Sequence, residues 1–130
     1  MLKLKRHNQG VWVDGPSGSR FKVRPATPKN YLELREKSKT GRSLVKGLDG
    51  LPQIIEDYDD AKMIWLLFDY ILEDWEGVEV EGAQNKDEIK ETIFNSHHRD
   101  FIFEKQREVF DLDKSEFEAD LKNSKRSRSG

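Results

Sequence analysis

Apolar residues recur every three or four positions through the middle of the chain, and this pattern predicts a central helix over residues 57–76. Ile64, Phe68, Ile71 and Trp75 fall on one side of that helix. Other apolar residues cover most of its remaining circumference, which is typical of a helix that packs against several neighbours. We therefore expect this helix to lie at the centre of the fold.

Helix-start signals mark further helices on both sides of the central one. Thr27 followed by Pro28 is typical of an N-cap residue and the first helical position. Asn85 with Glu88 three residues later matches a capping box, and Asp113 precedes the last apolar pattern. The predicted flanking helices span residues 28–39, 85–96, 98–110 and 113–121.

Strand signals are concentrated near the start of the chain. Strand-forming residues on both sides of the turn sequence DGPSGS predict a β-hairpin over residues 11–24. The segment 40–53 contains three glycines and a proline, and we interpret it as a loop, with a short helical turn near Leu44 as an open alternative. These elements predict a mainly α fold, with four to five helices packed around a central helix and an N-terminal β-hairpin. One domain is expected over residues 1–121, followed by a disordered basic tail over residues 122–130.

The composition of the chain excludes several kinds of functional site. The chain of 130 residues is 37% charged and 35% hydrophobic, which predicts a small core and a modest stability. The absence of cysteine excludes disulfides, thiolate metal ligands and cysteine nucleophiles. The formal net charge of −2 gives no basic footprint for nucleic acid across the whole domain. Because the longest apolar run, Met63 to Phe68, is too short to span a bilayer, we expect a soluble intracellular protein.

Two adjacent histidines, His97 and His98, stand close to Asp100 and raise the hypothesis of a metal-dependent enzyme. Neighbouring histidines diverge on a helix, and the only other histidine is His7. The ligand spacing of a structural metal site is missing. We therefore interpret these residues as polar positions in a turn between helices, and we predict no metal and no cofactor.

An acidic stretch follows the apolar part of the central helix. A calcium loop needs oxygen ligands at alternate positions, but valines occupy such positions here. We interpret the stretch as a solvated turn, in which Trp75 is the last core-facing residue of the helix and Gly77 is the left-handed residue that ends it. The carboxylates of the stretch are Glu73, Asp74, Glu76, Glu79 and Glu81.

The remaining motifs do not identify a catalytic site. The glycine-rich DGPSGS lacks the lysine and the strand-to-helix setting of a phosphate-binding loop, and the spacing of a serine nucleophile elbow is absent. We predict that the protein is not an enzyme. The basic ending KRSRSG leaves open a small nucleic-acid-associated regulatory protein that uses the hairpin and the basic tail to contact phosphates.

The order of short motifs along the chain resembles that of the tail assembly chaperones of long-tailed bacteriophages. A strand end, FKVRPAT from Phe21, feeds a helix that carries YLELR from Tyr31. A WEGV turn follows from Trp75, and after it come Gly82 and the pair NK at Asn85. The order and the spacing of these motifs, rather than any one of them, carry the resemblance.

The resemblance implies a non-catalytic role in the cytoplasm of a bacterial host. Such chaperones bind the tape measure protein, keep its long hydrophobic helices soluble and recruit subunits of the major tail tube protein. An amphipathic helix can cover a partner's apolar helix in a groove, so we place the hypothetical partner surface on the later helices. The candidate partner-binding residues are Phe101, Phe103, Phe110, Phe117 and Leu121.

Overall fold

A computed structural model of the chain describes residues 1–3 and 9–128, and for residues 110–117, 120 and 123–128 it describes the backbone alone. A short 3-10 turn at Pro16–Gly18 joins the first two strands. The helices and strands of the described part, in chain order, are β1 (Val11–Asp14), β2 (Arg20–Val23), α1 (Pro28–Lys37), β3 (Lys39–Lys46), β4 (Pro52–Tyr58), α2 (Asp60–Ile71), β5 (Leu72–Glu76), α3 (Lys86–Phe94) and α4 (His98–Arg128).

The prediction of a mainly α, or all-α, fold is wrong, because the strands form two antiparallel sheets beside the helices. One sheet has the order β1-β2-β5, and the other consists of β3 and β4. The strands β1 and β2 lie within the predicted N-terminal hairpin. Three further strands, β3, β4 and β5, occupy positions for which a loop and a helix are predicted. The fold is therefore a mixture of helix and sheet.

The segment predicted as a loop, residues 40–53, contains most of the β3–β4 hairpin. Its glycines and its proline lie where a hairpin tolerates them. Gly47 and Gly50 belong to the turn, and Gly50 has a φ of 80°. Gly41 adjoins a shift in the register of β3, and Pro52 is the first residue of β4, where its missing N–H costs least. Residues that usually indicate a loop thus mark the ends of strands here.

The central helix ends earlier than predicted, at Ile71, and the chain continues directly into β5. Leu72 and Trp75 pair with Val23 and Phe21 of β2, and a bulge lies between these two pairs. A regular strand places residues two apart on one face, whereas the bulge adds one residue. Leu72 and Trp75, three positions apart, therefore share a face of the sheet and imitate the periodicity of a helix.

The chain divides into two compact units, Met1–Pro25 with Ile71–Gly130, and Ala26–Tyr70. In the first unit, buried apolar side chains from β2, β5, α3, α4 and the last residue of α2 form the core. In the second unit, Leu34 and Phe68 are buried. The core residues of the first unit are Phe21, Val23, Ile71, Leu72, Ile93 and Ile102. A single domain over residues 1–121 stays a prediction.

Capping interactions begin α1 and α3 as the sequence predicts. The Thr27 side chain accepts a hydrogen bond from the backbone N–H of Asn30, and Pro28 occupies the first turn of α1. Asn85 Oδ1 accepts the N–H of Glu88 at 2.9 Å. The Glu88 carboxylate accepts from the backbone of Gln84 rather than from that of the cap residue, so the capping box is only half formed.

The last helix, α4, replaces two shorter predicted helices. It runs without a break from His98 to Arg128, so Asp113 does not begin a helix. The backbone of residues 122–128 is helical where a disordered tail is predicted, and residues 129–130 lie outside the described part of the chain. None of the helices that the structure describes is long and apolar enough to cross a membrane.

Candidate partner-binding surfaces

Two of the motifs in the family resemblance, FKVRPAT and WEGV, lie side by side in the three-stranded sheet. Phe21 is the cross-strand partner of Trp75, and Val23 is the partner of Leu72. The backbone N–H of Arg24 donates to the carbonyl of Ile71 at 2.9 Å, which extends the pairing beyond the strands. Val23, Leu72 and Ile71 are almost completely buried. The pairing of the two motifs and of the residues beside them therefore holds the core of the first unit together.

The bulge in β5 gives Glu73 a structural role. Its carboxylate lies 3.4 Å from Lys22 Nζ and 3.3 Å from Arg24 Nη1, and its side chain is only 21% exposed. A carboxylate that is largely removed from water needs opposite charge or hydrogen-bond donors nearby. The residue that was predicted to lie in a solvated turn thus connects β5 to the strand beside it.

Asp74 and Trp75 form the next part of the acidic stretch. Asp74 Oδ1 accepts a hydrogen bond from the backbone N–H of Trp75 at 2.8 Å and lies 3.2 Å from Lys86 Nζ. The amide hydrogen bond, and after it Lys86, hold the pKa of Asp74 below its usual value. Lys86 also lies 5.7 Å from the centre of the Trp75 ring, within range of a cation–π interaction.

Gly77 adopts the left-handed backbone that the sequence predicts, with a φ of 70°, but it ends a strand rather than a helix. A Cβ added to Gly77 would lie 3.0 Å from the carbonyl oxygen of Gly18. The turn after Trp75 therefore approaches the β1–β2 turn closely. Trp75 itself is half-buried, so it is not the fully core-facing residue that the helical interpretation requires.

A small cleft lies beside this turn. It has a volume of about 220 Å³, which is less than the roughly 300–1,000 Å³ of typical small-molecule sites. Phe21, Val78 and Ile93 contribute apolar surface, while Glu79 and His98 are polar. Its size and its mixed lining suit a single side chain of a partner better than a cofactor.

The histidine pair does not gather further ligands in the part of the chain that the structure describes. His97 and His98 are both exposed, and Asp100 lies in the first turn of α4. Among residues 1–3 and 9–128, no group of three or more His, Asp or Glu side chains is arranged to hold a metal ion.

All five candidate partner-binding residues lie on α4, but their environments differ. Phe101 is half-buried and packs edge-on against Phe21, with ring centres 6.1 Å apart. Phe103 is half-buried, and Leu121 is 47% exposed. For Phe110 and Phe117 the structure describes the backbone alone. Phe101 therefore contributes to the core of the first unit, and the role of all five in partner binding stays a prediction.

The helical backbone gives four of these positions a common side. Phe103, Phe110 and Phe117 are seven residues apart, and Leu121 follows four residues later. Seven residues complete almost two turns, so such positions form a slowly drifting line along a helix. Phe101 is two residues from Phe103 and belongs to a different side, which is consistent with its packing on Phe21.

Sequence reasoning missed a second apolar surface, on the β3–β4 hairpin. Leu44 and Ile54 are cross-strand partners and are 72% and 70% exposed. Leu48 and Leu51 near the turn are also exposed. The adjacent apolar pairs Leu44–Val45 in SLVK and Ile54–Ile55 in PQII include strand-forming residues and could have indicated strands, but the glycines between them favoured a loop. Clusters of exposed apolar residues often mark interaction sites.

A comparison of the chain with protein-family models, with curated proteins and with solved structures finds no match. The motifs and the surfaces described above are therefore the features of the chain that bear on its function.

Proposed function

We propose that the protein is a non-catalytic tail assembly chaperone of a long-tailed phage or prophage, which acts in the cytoplasm of the bacterial host. In this role it binds the tape measure protein and recruits subunits of the major tail tube protein. The order of motifs in the sequence is the starting point. The pairing of FKVRPAT with WEGV in one sheet supports it, because it gives two of these motifs a common structural role.

One observation supports a protein-binding role, namely the change from buried to exposed residues along α4. The first turns of this helix contribute Ile102 to the core, where it is completely buried. Far beyond them, the described side chains at positions 118, 119, 121 and 122 are all exposed. Leu121 is among these exposed residues, and it continues the line of phenylalanine positions. A helix that leaves an apolar residue such as Leu121 in contact with water suits helix-to-helix binding in a groove.

The chaperone role follows from the chemistry of such a line. A long, apolar helical partner is poorly soluble alone, because its hydrophobic side chains remain in contact with water. A helix that offers apolar residues at spacings of seven and four can cover those side chains. The charged residues beside them, such as Glu118 and Lys122, keep the complex soluble.

Co-expression tests this proposal. The full chain should be produced together with the tape measure protein and the major tail tube protein encoded by the same phage or prophage genome. We expect both to co-purify with the chain, and we expect the soluble fraction of the tape measure protein to rise. Leu121→Asp should weaken this binding, because it places a carboxylate on the apolar line.

Ala119→Asp is the matched control. It introduces the same carboxylate at an exposed position about 200° around the helix, so binding should be retained. If neither phage protein binds the unaltered chain, the proposal is wrong. If instead the chain binds DNA in a salt-dependent way that is lost on removal of residues 122–130, the nucleic-acid alternative replaces it.

A further inference from the structure

The β3–β4 hairpin carries apolar side chains on a surface that faces water. Residues 42, 44 and 46 of β3 and their partners 56, 54 and 52 of β4 share one face, which we call the Leu44 face. Leu44 and Ile54 at its centre are 72% and 70% exposed. A two-stranded hairpin is marginally stable in water by itself, so covering this centre would stabilise the strand pair.

The charges of the hairpin argue against a strongly charged partner. Three cations and three anions lie between residues 39 and 58, so the segment has no net charge. Nucleic acid and other polyanions select surfaces with an excess of positive charge. The charged residues are Lys39, Arg42 and Lys46, and Asp49, Glu56 and Asp57.

The charges on the Leu44 face are arranged so that the face complements itself. Arg42 and Glu56 are cross-strand partners at one end, with Arg42 Nε 3.3 Å from Glu56 Oε1. Suppose that two copies pack this face together around a twofold axis parallel to the strands. Such an axis places β3 of one copy over β4 of the other, so Arg42 faces Glu56 of the second copy. In the same arrangement Leu44 lies over Ile54 of the second copy, and both turns point in one direction.

The alternative twofold arrangement is less favourable. An axis perpendicular to the strands places β3 over β3 and reverses the direction of the turns. When Leu44 is near the axis, Arg42 then lies over Lys46 of the second copy, and like charges oppose each other. The charge pattern therefore selects one of the two arrangements.

We propose that the Leu44 face binds the same face of a second copy of this chain, with the strands aligned and both turns at the same end. The Leu44 face has six residues, far fewer than the roughly 20–30 residues that each side of a standard interface contributes. The dimer is therefore weak and depends on concentration. This proposal does not rest on the chaperone role, since it concerns the chain alone.

Sedimentation velocity of the purified full chain, over a series of concentrations, tests the proposal. We expect a monomer–dimer equilibrium with a dissociation constant on the order of micromolar or higher. The double substitution Leu44→Thr with Ile54→Thr keeps strand-forming residues but removes apolar surface, and it should raise the dissociation constant at least about tenfold. Circular dichroism verifies that each variant remains folded.

Val45→Thr with Ile55→Thr is the matched control, because these residues lie on the opposite face of the same strands. This variant should retain the dimer. Reversal of one charge, Arg42→Glu, should weaken the dimer, and the exchange Arg42→Glu with Glu56→Arg should restore it. A chain that stays monomeric at every concentration overturns the proposal. The proposal is also wrong if only the Val45→Thr, Ile55→Thr variant raises the dissociation constant of the dimer.

Discussion

Truncation of Leu72 tests whether the pairing of β2 with β5 holds the core of the first unit together. Leu72 is completely buried, and its cross-strand partner Val23 is buried as well. Leu72→Ala removes three carbon groups, which lowers the transfer free energy by about 2.4 kcal/mol. The cavity that remains adds to this loss. We therefore expect the free energy of unfolding to fall by about 3 kcal/mol, within the range measured for buried leucines.

Urea unfolding at neutral pH measures this change. Far-UV circular dichroism follows both units, and tryptophan fluorescence reports on Trp12 and Trp75 in the first unit and on Trp65 in the second. Leu48→Ala is the control, because the same truncation at a fully exposed position should change stability by less than about 0.5 kcal/mol. If Leu72→Ala costs less than about 1 kcal/mol, Leu72 is not buried against β2 and the reasoning fails.

Three other perturbations follow from the same region. Trp75→Ala should lower the free energy of unfolding by about 1.5–2.5 kcal/mol, roughly half of the cost for a fully buried tryptophan, and a larger loss in urea unfolding would contradict the half-buried position. Gly77→Ala should lower the free energy of unfolding by about 1–2 kcal/mol, because the backbone is left-handed there and the carbonyl of Gly18 is close. The loss should be larger than that for Gly82→Ala, whose added Cβ meets open space at a similar φ of 81°. The lowered pKa of Asp74 stabilises the fold above the usual aspartate pKa of about 3.9, and this contribution is lost as the pH falls through the lowered value. The stability difference between the protein and Asp74→Asn should therefore shrink in acid, and a difference independent of pH would show that the charge of Asp74 has no role.

Local signals in the sequence predicted much of the secondary structure, because the interactions behind them are local. Thr27 and Asn85 cap helices through their own neighbours in the chain, and Gly77 has a positive φ because glycine tolerates it without steric cost. Strand-forming residues around a compact turn were enough to place β1 and β2. The candidate residues on α4 were also found by their apolar character, although the sequence did not distinguish Phe101, which packs on Phe21, from the exposed Leu121.

Other features were decided only by tertiary structure. Leu72 and Trp75 have a spacing that a helix and a bulged strand share, and only pairing with Val23 and Phe21 selects the strand. The exposed Leu44 face likewise depends on hydrogen bonding between β3 and β4, which brings separate residues onto one surface. The sequence by itself thus determined where α1 and α3 begin and where β1 turns into β2. The packing of distant segments determined which apolar residues became core and which remained in contact with water, because burial depends on the neighbours that folding supplies.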